Sequence, residues 1–173
     1  MEMLCDHGAE LDVVSSDGMT PLMFAGQRGH DEICMYLSLR SEDVDAVDEK
    51  TGMNVFAIYL MKKDILRMKQ LIMRGANINY VNRVTGLTPL AQAIKSKMNS
   101  KTVKFLLKSG ANPHIEDMEG NDCCDYAEGI ERYEKVKALT DFKCRDNVDL
   151  RIEYDSEKMN NLLKRDKKEH VRK

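Results

Sequence analysis

The chain of 173 residues contains no tryptophan, and it has no apolar run long enough to span a bilayer. Its first residues, Met1 to Asp6, lack a basic region followed by an apolar stretch, so no secretory signal is expected. The formal net charge is only −2, which gives no electrostatic signature of nucleic-acid binding. These absences argue against both nucleic acid and membrane as the principal partner.

Patterns typical of catalysis are missing as well. The sequence has no Gly-rich phosphate loop, no nucleophile elbow and no paired-carboxylate spacing. Its five cysteines are scattered and include no Cys-x-x-Cys spacing, which argues against a zinc site or a disulfide framework. We therefore predict no enzymatic activity, no cofactor and no metal site. We also predict a cytoplasmic location, with association with the cytoskeleton as the alternative.

What the chain does have is an internal repeat, marked by a glycine that recurs at equal intervals of about 34 residues. The four glycines are Gly18, Gly52, Gly86 and Gly120. Two residues after each glycine stands a residue suited to cap a helix. These residues are Thr20, Asn54, Thr88 and Asp122. A repeat of this length predicts stacked helix pairs that bury their apolar faces on one another.

Two segments carry a more specific signal. Residues 17–37 read DGMTPLMFAGQRGHDEICMYL, and residues 85–112 read TGLTPLAQAIKSKMNSKTVKFLLKSGAN. Both segments resemble an ankyrin repeat, and the resemblance extends over most of residues 1–140. It implies an all-α solenoid of stacked helix pairs with hairpin-like finger loops. Members of this family bind other proteins, so the resemblance also implies partner proteins.

The other repeats depart from the family pattern. The second repeat has Asn54 and Val55 in place of Thr-Pro, and Tyr59 stands where a small alanine is expected. In the fourth repeat Cys123 and Cys124 replace Pro-Leu, and we interpret them as small packing residues. The third repeat has one extra residue near 96–100, which we place in the turn between its helices. These departures predict less regular packing in repeats two and four.

The repeats divide the chain into three regions. Residues 1–15 read as the end of an incomplete repeat, and 16–140 hold four repeats at about 16–48, 49–82, 83–116 and 117–140. Residues 141–173 form a charged extension with a basic tail. Within it, 148–155 alternates apolar and charged residues and predicts a strand, with Leu150, Ile152 and Tyr154 on one face. That strand either straps the last repeat or adds to a partner's sheet.

The resemblance implies two partner-binding surfaces. One is the row of finger loops at about 45–51, 79–85 and 113–119; the other is the concave face formed by the first helix of each repeat. The candidate finger residues are Asp48, Glu49, Lys50, Tyr80, Asn82 and Arg83. The candidate concave-face residues are Gln27, Arg28, Met61, Lys62, Lys95 and Ser96.

The leading functional interpretation is a non-catalytic scaffold that holds proteins together. One alternative is a structural subunit of a large cytoskeletal or other multiprotein assembly, and another is a regulatory ankyrin segment of a longer enzyme. The partners are expected to be proteins, within a larger complex or a longer array. The first complete repeat is expected to present an apolar flank, because a solenoid normally closes with a polar capping repeat.

Overall fold

The computed structural model of this chain describes residues 10–127, which form seven α-helices and no β-strand within that range. The helices are α1 (Pro21–Arg28), α2 (Asp31–Ser38), α3 (Val55–Met61), α4 (Ile65–Met73), α5 (Pro89–Lys95), α6 (Ser100–Lys108) and α7 (Cys123–Ala127). Among the helices of this range, none has the length and apolar character needed to cross a membrane. The predicted all-α stack of helix pairs is confirmed.

Several predictions lie outside the described residues. They are the strand at 148–155 with Leu150, Ile152 and Tyr154, the basic tail, the part of the incomplete repeat before residue 10, and the part of the fourth repeat after residue 127.

The first helix of each repeat begins at the predicted capping residue. In every case a side-chain oxygen accepts a hydrogen bond from the backbone N–H three residues further on. The donor–acceptor distances are 3.3 Å at Thr20, 2.9 Å at Asn54, 3.2 Å at Thr88 and 3.2 Å at Asp122. Each bond satisfies one of the N–H groups that a helix start leaves without an intrahelical partner.

The second helices have caps that sequence reasoning did not identify. Asp64 accepts a bond from the N–H of Arg67 at 3.0 Å, and Asn99 accepts one from the N–H of Thr102 at 2.8 Å. The turn before the second helix lengthens from repeat to repeat, covering 29–30, 62–64 and then 96–99. The prediction of an extra residue in the third repeat's turn is therefore confirmed.

A continuous apolar core joins the repeats. Helix α1 packs on α2 within its own repeat and on α3 of the next, while α3 packs on α4 and α5, and α5 on α6 and α7. Leu22 and Leu90, which follow the first-helix prolines, are each only 1% exposed. Because every first helix contacts the next one, no repeat buries its apolar face alone.

The second repeat packs as closely as its neighbours, so the prediction of looser packing there is wrong. Tyr59 is fully buried, and its hydroxyl donates a hydrogen bond to Asp31 Oδ1 at 2.8 Å. The ring lies against Gly26 of the preceding repeat, where a Cβ would meet Tyr59 Cε2 at 3.4 Å. The large residue in one repeat is thus accommodated by a missing side chain in the repeat before it.

Polar side chains also bridge the loops of successive repeats. Asp12 accepts a bond from the N–H of Glu42 at 3.1 Å. In the next repeat Asp45 accepts from the N–H of Asn77 at 2.8 Å. In the third, Asn79 Oδ1 accepts from the N–H of Asn112 at 2.7 Å and Asn79 Nδ2 donates to the carbonyl of Gly110. These hydrogen bonds fix the position of each loop relative to the loop of the next repeat.

We predict that Leu22→Asp and Leu90→Asp each abolish cooperative folding. Either change places an unpaired carboxylate in the core between repeats, which costs several kcal/mol against a total stability of roughly 5–15 kcal/mol. The control Gln27→Asp, on the exposed side of α1, should leave the melting temperature nearly unchanged. Thermal melts followed by circular dichroism provide the measurement. An unchanged melting temperature in both leucine variants would contradict the assigned core.

Candidate functional site

The fingers are tight loops closed by backbone hydrogen bonds. The N–H of Asp48 donates to the carbonyl of Met53 at 2.9 Å, and the N–H of Gly52 donates back to the carbonyl of Asp48 at 2.7 Å. The next finger repeats this pattern between Asn82 and Leu87, at 3.0 Å. The described loops are therefore hairpin-like without forming regular strands, as the family resemblance implied.

Two candidate finger residues hold the loops from inside. Asp48 is 8% exposed, and its carboxylate accepts bonds from the N–H of Lys50 at 2.8 Å and from Thr51 Oγ1 at 2.6 Å. Asn82 is 7% exposed, and its Oδ1 accepts from the N–H of Val84 at 2.8 Å. The polar atoms of these two side chains thus serve the turn and little of their surface reaches solvent, while their contact with a partner stays a prediction.

Each of these fingers also packs closely against the glycine of the preceding finger. A Cβ on Gly18 would lie 3.0 Å from the backbone N of Glu49, and a Cβ on Gly86 would lie 3.0 Å from Met118 Cγ. A Cβ on Gly52 would overlap the side-chain amide of Asn82, whose Nδ2 donates to the carbonyl of Thr51 at 3.0 Å. All three glycines have φ between 65 and 78°, so the positions require glycine for conformation as well as for space.

The remaining finger candidates reach solvent to different extents. Glu49, Lys50 and Arg83 are exposed, whereas Tyr80 is half-buried. Burial raises the pKa of Tyr80 to about 12. Lys50 forms an exposed ion pair with Asp17 of the preceding finger, a type of contact that contributes little to stability. The side chains of Glu49, Lys50 and Arg83 therefore lie on the surface of the fingers and take no part in the buried interior of the loops.

The six candidate residues on the predicted concave face all lie at the C-terminal ends of first helices. Gln27 and Arg28 end α1, Met61 and Lys62 end α3, and Lys95 and Ser96 end α5; all six are exposed. Met61 has 52% of its surface in solvent. The structure therefore brings these six side chains to one edge of three adjacent helices.

The cations of this edge lie over aromatic rings. The Arg28 guanidinium is 5.1 Å from the centre of the Phe24 ring, Lys62 Nζ is 5.6 Å from that of Tyr59, and Lys95 Nζ is 4.8 Å from that of Tyr126. A cation within about 6 Å of a ring centre is attracted to the ring face. Sequence reasoning gave no sign of this, because the ring partners lie three to four residues away or in the next repeat.

The outer flank of the first repeat carries an apolar groove, as predicted. Its volume is about 420 Å³, and Val13, Val14, Met19, Phe24 and Ile33 are among the residues that line it. Val14 is 65% exposed and Phe24 is 48% exposed. This flank is the face on which a preceding repeat would stack in a longer solenoid.

One side-chain group within residues 10–127 has the composition of a metal site. His114, Asp122 and Cys124 each offer a ligand atom, and these atoms lie within 4.8 Å of one another. His114 Nδ1 is 3.0 Å from Asp122 Oδ2, while the other carboxylate oxygen caps α7. These contacts account for the positions of both side chains within the finger-to-helix junction, and the prediction of no metal site stays a prediction.

Cys34 and Cys123 are buried as packing residues, in agreement with the interpretation of Cys123 from sequence. Their exposed fractions are 0% and 1%. Burial raises the pKa of Cys123 to about 12 and raises that of Cys34 as well. Because the thiolate is the reactive form, neither sulfur is suited to nucleophilic or redox chemistry at neutral pH.

Comparison with known proteins bears out the resemblance. The ankyrin repeat family model matches residues 17–49 and 85–118. Over 64 residues the chain is 42% identical to an ankyrin repeat protein of Acanthamoeba polyphaga mimivirus, covering 37% of this chain and 15% of that protein. Over 109 residues it is 31% identical to the B-cell lymphoma 3 protein homolog of Mus musculus, covering 62% of this chain and 24% of that protein. The matched region thus spans a quarter or less of either relative.

We predict opposite pH dependences for two neighbouring aspartates. Burial raises the pKa of Asp45, so its contribution to stability is present below the unfolded pKa and is lost as pH rises through the folded one. The hydrogen bond from Thr51 lowers the pKa of Asp48, so its contribution is present above the unfolded pKa and is lost as pH falls through the folded one.

Asp45→Asn should therefore keep the free energy of unfolding at pH 7 within about 0.5 kcal/mol, since Asn79 fills the same role in the next repeat. Asp48→Asn should lose about 1 kcal/mol at pH 7 because a charge-assisted bond is removed. Urea unfolding between pH 3 and 7 measures both effects. Equal losses for the two variants at pH 7 would contradict these assignments.

We further predict that EDTA leaves the helical circular dichroism signal and the melting temperature unchanged. The cap of α7 and the apolar core hold the fourth repeat's described residues without an ion. A large loss of helicity on chelation, reversed by added zinc, would contradict the prediction and identify the junction at His114 as a structural metal site.

Proposed function

Because this chain is an ankyrin-repeat protein, we propose that it acts as a non-catalytic scaffold that binds other proteins through two surfaces. One is the row of finger loops. The other is the first-helix edge, by which we mean the exposed C-terminal ends of α1, α3 and α5 with Gln27, Arg28, Met61, Lys62, Lys95 and Ser96. Ankyrin repeats are general protein–protein interaction modules, and their family is typically non-catalytic. The specific role as a scaffold is our proposal. Among the described residues Cys34 and Cys123 are buried thiols that form no disulfide, which favours a reducing, cytoplasmic location, and we propose that location as well.

One observation carries the proposal: exposed, chemically varied side chains stand on a framework whose own polar groups are already paired. The edge residues Gln27, Met61 and Ser96 lie in solvent, while the leucines beneath them are buried. A solenoid with an ordered core presents such a surface with little ordering entropy to lose on binding. Rigid presentation of exposed side chains is what a protein-binding scaffold requires.

A second candidate, a structural subunit of a larger assembly, is favoured by the apolar groove at Val14 and Phe24. Exposed apolar patches of this kind commonly mark contact sites between proteins. In this alternative another polypeptide covers the flank of the first repeat, and the first-helix edge contributes secondary contacts.

Site-specific photo-crosslinking in cells distinguishes the surfaces. A benzophenone amino acid is placed at Met61 on the edge, at Phe24 in the flank groove, or at Lys108 on the second-helix side as a matched exposed control. The scaffold proposal expects discrete protein adducts from Met61 that are absent from Lys108. Adducts confined to Phe24 would favour the assembly subunit, and equal adducts at all three positions would overturn both assignments.

A further inference from the structure

The formal charge of the whole chain conceals a sharp segregation of charge between repeats. Residues 10–48 contain nine Asp or Glu and two Lys or Arg, whereas residues 49–116 contain three Asp or Glu and twelve Lys or Arg. Residues 117–127 contain four acidic residues and no basic one. The two central repeats therefore form a strongly basic block between acidic ends, and that block is where a partner's charge would be sensed.

Part of this charge is concentrated along the first-helix edge. We call the exposed cations Arg28, Lys62, Lys63, Lys95 and Lys97 the basic rim. None of the helices α1, α3 and α5 that carry it contains an acidic residue. Basic residues at helix C-termini are favoured by the helix dipole, yet the dipole alone does not require the second lysine found at the ends of α3 and α5, Lys63 and Lys97.

Contacts define the side-chain positions of three of these cations, Arg28, Lys62 and Lys95. Lys62 Nζ donates to the carbonyl of Gly26 at 2.5 Å, and Lys95 Nζ lies 3.3 Å from the hydroxyl of Tyr126. The ring contacts described above hold Arg28, Lys62 and Lys95 in a row. A row of pre-positioned cations loses less side-chain entropy on binding an anion than mobile lysines would.

Two lysines of the rim stand where glycine would be more stable. Lys63 has φ 58° and Lys97 has φ 50°, and they are the only non-glycine residues with positive φ among those described. The corresponding residue of the first repeat is Gly29, with φ 79°. A non-glycine residue in this left-handed conformation costs about 1 kcal/mol or more. Strain of this kind persists where the surrounding structure holds it in place, and it clusters at functional sites.

We propose that the basic rim is a docking site for an acidic segment of a partner protein, with an apolar side chain that packs on Met61. The inference rests on the proposed protein-binding function and names the chemistry of the partner. Neighbouring packed helices lie about 8–10 Å apart, so three of them span about 18 Å. That length matches about five or six residues of an extended peptide.

The surroundings of the rim favour a peptide over a nucleic acid. Asp117 lies next to Lys95 on the fourth repeat, since the Tyr126 hydroxyl contacts both side chains, and the first repeat, which carries Arg28, is rich in Asp and Glu. A long polyanion tracking the rim would meet these carboxylates at both ends, whereas a short acidic segment would not. Met61, which is 52% exposed, provides an adaptable apolar contact that a phosphate backbone would not use.

The test uses the full chain and a fluorescein-labelled peptide of about 12 residues built from Glu-Glu-Leu repeats, with binding followed by fluorescence anisotropy. A Lys-Lys-Leu peptide and a single-stranded oligodeoxynucleotide of equal formal charge serve as comparison probes. We expect the acidic peptide alone to bind, with an affinity that falls as salt is raised from about 0.05 M to about 0.5 M. Tighter binding of the oligodeoxynucleotide would overturn the proposal.

Matched variants locate the binding. The double substitution Lys62→Glu/Lys95→Glu on the rim should weaken peptide binding by about tenfold or more. The control Lys101→Glu/Lys104→Glu changes the net charge equally on exposed positions of α6 and should leave affinity within about twofold. Equal weakening by both pairs would overturn the proposal, because it would reveal non-specific attraction.

Lys63→Gly separates function from structure. It should raise the melting temperature by relieving the positive φ and should also weaken peptide binding several-fold. A higher melting temperature with unchanged binding would remove Lys63 from the site.

Peptide binding that fails while photo-crosslinks at Met61 persist would overturn the acidic partner yet leave the scaffold function standing. A rim-dependent dimer in sedimentation would instead identify a second copy as the occupant and overturn the proposal.

Discussion

The close approach of each finger to the glycine of the preceding finger is the constraint on which the rest of the structure depends. At Gly52 the next finger's Asn82 occupies the space that a Cβ would need, and Asn82 in turn donates to the carbonyl of Thr51. The loops therefore stack at a separation that leaves no room for adjustment. Given that separation, the first helices meet closely enough to bury Leu22 and Leu90 completely.

From this stacking follows a division of labour between buried and exposed polar groups. Asp45, Asp48 and Asn82 form the hydrogen bonds that bridge and close the loops, whereas the exposed charges are not needed for that bonding. The basic rim can carry strain at Lys63 and Lys97 because the helices on either side of each turn are fixed by the core. Within the same repeats, the buried loop side chains stabilise the fold, while the exposed cations of the basic rim are available to bind a partner.

Much of the fold was predictable from sequence, because a repeat presents the same local signals several times. The four helix caps depend on local residue types and were confirmed. Tyr59 was misjudged because its space comes from Gly26, a compensation between repeats that no local pattern reveals. Asp48 and Asn82 looked like finger-tip residues because polarity in a loop does not distinguish a side chain that holds the turn from one that faces solvent.

The candidate surface was predictable only in outline. The family resemblance assigned Gln27, Met61 and Lys95 to the concave face of the first helices but gave no account of charge; the structure shows all three exposed at helix C-termini, and their contact with a partner stays a prediction. The basic rim emerges only when residues about 34 apart in sequence are brought side by side, and its strained lysines are visible only in backbone angles. Which protein a surface binds depends on such details, which the repeat pattern leaves free.

The central claim is tested most directly by comparing Gly52→Ala with Gly75→Ala in urea unfolding. Both glycines have positive φ, at 65° and 95°, so both substitutions carry a conformational penalty of about 1 kcal/mol. A Cβ on Gly75 meets nothing within 4 Å, whereas one on Gly52 overlaps the hydrogen-bonded amide of Asn82. Gly52→Ala should therefore lose a further 1–3 kcal/mol, roughly the cost of overpacking a filled site. Equal losses for the two variants would contradict the claim that finger contact sets the spacing of the repeats.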